Sequence, residues 1–248
     1  MSEGPGRLRR GILEAVAIVG SILLAFAIDA MWERHNDARE GDEVLAGLQA
    51  EFTFHRSELV RFRDRWLTVR RSTERLIVAT RDDISPEPIV VDSLLLDFLN
   101  PTTFDPRGGA LEAATSSGQI GLVGSRELRA QLAAWDGVVA ELKDNELAMR
   151  AFILESIIPH LAARGVPVSR AWALLPNAGL VGVQGDANWP TATATDAEAR
   201  PIYQALIADA EFEALVSTRY TWLNVEEYND AIEFVDDLLS RLAEELED

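Results

Sequence analysis

The side chains best suited to metal centres and to nucleophile–base pairs are scarce in this chain. There are three histidines, His35, His55 and His160, far apart in the sequence, and no cysteine. The scatter argues against a histidine metal site, and the missing thiols remove zinc-thiolate centres, iron–sulfur clusters, disulfides and thiol nucleophiles together. No Gly-x-Ser-x-Gly elbow, phosphate-binding loop or His-Glu-x-x-His pair occurs. Gly118, Gly121 and Gly124 are spaced three apart, as are Gly179, Gly182 and Gly185. Neither set follows a strand and opens a helix, so both read as turn glycines. Carboxylates are plentiful, 41 in all, and any pair of them could do acid–base chemistry. The acidic C-terminal stretch lacks the Asp-x-Asp-x-Asp-Gly pattern of a calcium loop. Arg107, in Asp105-Pro106-Arg107-Gly108-Gly109, is the candidate for gripping an anion or a neighbouring chain's carboxylate; a structural salt bridge is the competing role. The chemistry thus points to a protein that is not an enzyme, with no catalytic residue, cofactor or metal expected.

Charge and length narrow the partners. The 248 residues carry a net charge of −18, which repels phosphate backbones, so nucleic acid is not an expected partner. Residues 11–28 (GILEAVAIVGSILLAFAI) hold one ionisable side chain, Glu14. As a helix this run covers about 27 Å, close to the ~30 Å hydrocarbon layer of a bilayer. Arg7, Arg9 and Arg10 precede it, whereas Asp29 and Glu33 follow, so the positive-inside rule places residues 1–10 in the cytoplasm and the rest outside. A cleaved signal peptide, with Ala25-Phe26-Ala27 as its processing site, and a buried core helix are the competing readings. Within the expected span, Ala17, Ser21 and Ala25 recur every four residues and form a small-residue face that admits another membrane helix. Glu14 pairs locally with Arg10 or snorkels to the interface, unless it serves a function within the bilayer. Trp32 stands where an interfacial aromatic anchor belongs.

These groups must be positioned by helices. Leu45, Leu48, Phe52, Leu59, Phe62, Trp66, Val69 and Leu76, with His55 and Thr73 in the gaps, alternate three and four apart. A long, coiled-coil-like helix is therefore expected to leave the span and end near Arg81, ahead of Ser85-Pro86-Glu87-Pro88. Val225, Tyr228, Ile232, Val235, Leu239, Leu242 and Leu246 give a second such seam. Residues 56–81 carry eight arginines, while residues 226–248 are strongly acidic. The two helices are expected to pair, with a lipid-facing or solvated basic face as the rival. Between them, a turn at 105–109 feeds a helix from Ala110 to Ser117 stopped by Gly118. Ser125 caps a further helix that continues, after an irregularity, towards Pro159. Residues 165–201, rich in Gly, Pro, Asn and Thr, read as a long loop. Trp172 and Trp189 on it, with Trp32 and Arg107, are the interface candidates.

The run Ala27-Ile28-Asp29-Ala30-Met31-Trp32-Glu33-Arg34, then Leu45 to Leu48 and Glu51, resembles an uncharacterised bacterial family of single-span inner-membrane proteins. Phe104 to Leu111, Ser116-Ser117-Gly118, Glu127-Leu128-Arg129 and Trp135 extend the resemblance, which covers the first 60 residues and 100–136. Gly109 departs from the family pattern by lengthening the turn after Arg107. The resemblance implies the topology and leaves activity open. The expected architecture is all-α: residues 1–10 a cytoplasmic tip, 11–30 a transmembrane helix, and 31–248 a periplasmic helical bundle. The expected function is an accessory or scaffold subunit that stabilises a larger bacterial membrane complex, such as a photosynthetic or respiratory assembly. Its partners would be other membrane subunits and the lipid bilayer. A membrane-anchored periplasmic sensor or ligand-binding module is the alternative.

Overall fold

A computed structural model of the protein describes residues 5–82, 86–101, 103–106, 108–172, 174 and 194–247, with side chains from residue 18 onward. Among the described residues the fold is all-α, a helical bundle without strands. Helix α1 runs from Pro5 to Arg81 as 77 uninterrupted residues. No helix among the described residues is long and apolar enough to cross a membrane. Of the expected span at 11–30, the side chains of residues 11–17 lie outside the description.

Each boundary has a local cause. Helix α2 (Pro88–Phe98) opens on a proline at its first position, where the missing N–H costs nothing. Its apolar face, with Val91, Leu94, Leu95 and Phe98, is buried. Helix α3 (Ala110–Ser117) ends at Gly118, whose φ of 79° is left-handed. After a 3₁₀ turn at Gln119–Leu122, Ser125 starts α4 (Arg126–Phe152) by accepting the Leu128 N–H at 3.0 Å. The expected irregularity is a π-turn, Ile153–Ile157, leading into α5 (Ile158–Ala163). It lies directly before Pro159, which has no N–H and crowds the carbonyl four residues back.

The expected loop at 165–201 is helical at both ends, and its middle, 175–193, lies outside the described residues. Its start forms α6 (Val168–Trp172). Its end enters α7 (Asp196–Ile207) through a capping box in which Thr195 and Glu198 exchange hydrogen bonds. Thr195-x-x-Glu198 was the legible signal for that start, hidden among other polar residues. Helices α8 (Ala210–Trp222) and α9 (Glu226–Glu247) complete the chain.

The chain divides into two compact units. The first comprises residues 1–52, 108–132 and 238–248; the second, 53–107 and 133–237. In the first, Leu45, Leu48, Phe52, Ala114, Val123, Leu128, Leu132, Leu238 and Leu242 are buried. In the second, Leu76, Val91, Leu95, Phe98, Ile153, Ile157, Tyr203, Leu206 and Phe212 belong to one apolar core.

The α1 seam is buried as its spacing requires, Phe62 being only half-buried. In α9 the seam drifts. Leu238 is fully buried while Leu239 is half-buried and Leu246 is 36% exposed. A straight helix of 3.6 residues per turn slips against a strict heptad, so the buried position moves by one. The expected pairing of the basic and acidic segments is seen in the ion pair of Arg56 with Asp236. Trp66 also meets Tyr228 there, ring centroids 5.6 Å apart. Other arginines use acids outside the C-terminal segment: Arg61 with Glu58, Arg63 with Asp64 and Arg70 with Glu74 locally, and Arg81 with Glu213 of α8.

Candidate functional site

The apolar part of α1 is the most unusual surface in the first unit. Every residue from 18 to 39 is exposed, including Ile18, Val19, Ile22, Leu23, Leu24, Phe26, Ile28 and Met31 at 50–70%. These residues point to all sides of the helix, whereas a helix on a water-facing surface would carry an apolar stripe on one side only. Ser21 and Ala25 of the small-residue face are exposed, and Ser21 Oγ donates to the Ile18 carbonyl at 2.8 Å. Ala17 lies outside the residues whose side chains are described. Trp32 is 75% exposed.

Carboxylates fasten the loops of this unit. Glu51 Oε2 accepts the N–H groups of Ala110 and Leu111 at 2.7 and 3.0 Å, so it caps α3 from another helix. A negative charge is stabilised at that helix end by the free N–H groups and the dipole. A Cβ on Gly108 would stand 1.6 Å from Glu51 Oε1. The glycine is there because the carboxylate passes over it. Glu245 does the same for α4, accepting from Gly124 and Ser125 at 3.1 and 2.7 Å. The expected anion grip, Arg107, lies outside the described residues; elsewhere in that motif Asp105 accepts from Lys143 Nζ at 2.5 Å and Gly108 makes room for Glu51.

The second unit buries its polar groups. Asp92, 1% exposed, accepts from Arg170 Nη2 at 2.9 Å and from Nε at 3.1 Å, and also from the Tyr203 hydroxyl. Arg170 further donates to the Ala194 carbonyl and to Asp196. Burial works to lower the Arg170 pKa, but the bonds to Asp92 and Asp196 outweigh it and raise it. Burial beside Asp92 also pushes the Tyr203 phenol up. This cluster ties α2, α6 and α7 together. Trp172, expected at an exposed interface, instead packs half-buried against the apolar core next to it. Trp189 lies outside the described residues.

A second buried acid, Glu146, accepts through Oε1 from the Phe104 N–H at 2.8 Å and from the Tyr228 hydroxyl. Its Oε2 has no partner among the described residues. Burial raises its pKa, the two hydrogen bonds offsetting only part of this. Arg219 is 1% exposed, and its Nη2 donates to the Asn100 carbonyl at 3.0 Å. Its Nε and Nη1 are unpartnered among the described residues, and the guanidinium lies 5.5 Å from the Phe98 ring centre. Burial alone pushes its pKa down to about 9.

One grouping was not legible in the sequence. His160 Nε2 stands 3.0 Å from Asp209 Oδ2, and its Nδ1 stands 3.4 Å from Glu211 Oε2. One ligand atom from each could meet at a cation. Arg164 already serves as the counter-charge: its Nε donates to Asp209 at 2.7 Å and holds that carboxyl below its usual range. Asp209 also caps α8, accepting from the Glu211 N–H. The visible task is a helix-end clamp, with His160 stacked on Phe212 at 6.4 Å. His160 and Asp209 are 49 positions apart, so only the fold could join them. His55 lies buried in the α1 seam, stacked on Trp135 at 5.2 Å, which is the packing role of a polar seam residue.

No family model, curated protein or solved structure matches the chain.

Proposed function

We propose that this chain is a non-enzymatic accessory subunit, anchored in a bacterial inner membrane by the start of α1 and docking its helical domain onto a larger membrane assembly. The observation that carries the reading is the segment 18–32, apolar on all sides of α1 and exposed throughout. Exposing that much apolar surface to water is strongly unfavourable, at roughly 25 cal/mol per Å². A bilayer, or other membrane helices, would remove that cost. Residues 11–17 extend the run to a length suited to the hydrocarbon layer. Ser21 and Ala25, with Ala17 one turn earlier, would let a second membrane helix approach closely. The periplasmic placement of the domain rests on Arg7, Arg9 and Arg10 before the span, and the photosynthetic or respiratory class of the host is part of the same proposal.

The test is expression in a bacterial host at native level, followed by alkaline carbonate extraction and mild-detergent purification. The protein should stay with the membrane after carbonate and leave the detergent extract as part of a complex of fixed composition. Protease added outside the inner membrane should digest the helical domain. A protein released by carbonate, or one that purifies as a lone monomer, overturns the proposal.

A further inference from the structure

Within the second unit, two concavities follow one another along a single side of α1, with volumes of about 610 and 490 Å³. The first lies between Arg61, Arg65 and Thr68 of α1 and Asn100, Pro101 and Thr103 after α2. The second lies between Arg71, Arg75 and Val78 of α1 and Pro86, Val90 and Leu94 at the start of α2. As numbers rise along α1 they fall along its neighbour, so the two form an antiparallel hairpin, pinned midway by Ser72 Oγ donating to Asp97 at 2.7 Å. Positions 61, 65, 68, 71, 75 and 78 are three or four apart, which places them on one face of α1. The two concavities, with the Ser72–Asp97 bond between them, together line a groove-like strip about 26 Å long at 1.5 Å rise per residue.

Its charge is set by arginines. Asp64 and Glu74, the carboxylates on its edge, are already met by Arg63 and Arg70. Arg61 is held by Glu58. Arg65, Arg71 and Arg75 have no carboxylate partner among the described residues and are exposed. Behind the wall at Asn100, the buried Arg219 adds a cation that no carboxylate neutralises among the described residues. In a chain of net charge −18 this is a concentrated basic strip. Its floor is apolar: Val78 is 52% exposed and Val90 half-buried, over the buried Leu94.

We infer that this groove between α1 and α2 is the docking site for a carboxylate-rich amphipathic helix of a partner protein. Acidic side chains along one edge of such a helix would meet Arg65, Arg71 and Arg75, while its apolar face would cover Val78 and Val90. Lipid headgroups could satisfy the arginines but would leave the apolar floor wet, so a protein helix fits better. The inference rests on the accessory-subunit reading and names the surface it would use.

The experiment uses the full chain in neutral-lipid nanodiscs and a fluorescent peptide of about 18 residues, the groove's length, with glutamates on one helical face and leucines on the other. The triple variant R65E/R71E/R75E should weaken peptide binding at least tenfold, about 1.4 kcal/mol. R126E/R150E, which changes exposed arginines elsewhere, should leave it unchanged. A scrambled peptide of the same composition should bind at least about tenfold more weakly, since it lacks the paired faces. Melting by circular dichroism checks that the variants fold; if the triple variant does not, the single variants R71E and R75E are read instead. No binding, equal binding by the triple variant, or equal binding of the scrambled peptide overturns the inference. So does displacement of the peptide by phosphatidylglycerol vesicles at lower charge concentration than by unlabelled peptide, an outcome that assigns the groove to lipid. Purification from native membranes separates this inference from the broader reading. If the triple variant still co-purifies with the assembly, the groove is overturned and the accessory role stands; if the wild type co-purifies with nothing, the accessory role fails.

Discussion

The two units of this protein differ in how deeply they bury charge. In the first, acids sit half-buried at the rims of helices, where Glu51 and Glu245 each gather two backbone N–H groups at a helix start. In the second, Asp92, Glu146 and Arg219 are almost fully buried among apolar side chains. Rim acids keep part of their hydration and add modest, local stability. Buried charges lose hydration altogether, so they are tolerated only where partners compensate, and they make the core sensitive to any change in those partners. Of the three, Asp92 is well compensated, Glu146 partly, and Arg219 least.

That ranking can be broken by removing one partner at a time. Asp92→Ala leaves Arg170 and the Tyr203 hydroxyl without their shared acceptor inside the core. We expect a loss of about 3 to 5 kcal/mol, the usual consequence of orphaning half of a buried pair. Urea unfolding followed by circular dichroism would measure it; a loss below about 1 kcal/mol would mean that the cluster is hydrated in solution.

Arg219→Met should go the other way. The flexible thioether fills the stem's space and removes a buried cation whose only hydrogen bond among the described residues is to the Asn100 carbonyl. Stability should rise by about 1 to 3 kcal/mol, read from the same unfolding curves. A loss instead would show that Arg219 meets an anion in the native protein, which bears directly on the groove beside Asn100.

Glu146 supplies a pH test. Its carboxyl pKa is raised in the folded protein. Its share of stability is therefore fully present below the ordinary glutamate pKa of about 4.3 and is lost as pH rises through the folded value. Glu146→Gln keeps the shape without the ionisation. Wild type minus variant should thus become less favourable as pH increases from 4 towards 8, in parallel melting curves. A flat difference would place a cation or water at Oε2.

How much of this was legible in the sequence follows the range of the interactions. The seam of α1, the stop at Gly118, the Ser125 cap and the irregularity before Pro159 are local, set by residues within a few positions of each other, and they could be read directly. The seam of α9 was read one residue off towards its end, because 3.6 does not divide 7. The loop at 165–201 was overextended, since composition hid the Thr195 and Glu198 capping box. Helices α7 and α8 went unread for a similar reason: Pro201 lies inside the first, and the apolar residues of the second follow no clear stripe. The polar clusters were not legible at all. Asp92, Arg170 and Tyr203 are ordinary residues until α2, α6 and α7 meet, as are His160 and Asp209. Among the expected interface residues, Trp32 is exposed, whereas Trp172 is partly covered by apolar neighbours that no spacing announced.

The smallest effect sharpens the contrast from the side of the first unit. Gly108→Ala puts a methyl group where the Glu51 carboxylate lies, 1.6 Å from Oε1, so the side chain must swing away from the Ala110 and Leu111 N–H groups. The cost should be that of losing a helix cap, about 1 kcal/mol, because the freed N–H groups can turn to water. Glu51→Gln should cost less than this, since the amide oxygen still accepts while the charge at the helix end is gone. In a Glu51→Ala background, Gly108→Ala should then cost almost nothing, because there is no carboxylate left to displace. A double-mutant cycle on thermal unfolding measures that coupling. Full additivity would mean that Gly108 serves some backbone need of its own. Strong coupling would make the Glu51 contact with Gly108 a carboxylate-held clasp at the start of α3, which is the local, rim-placed use of charge that distinguishes this unit from the buried clusters of the other.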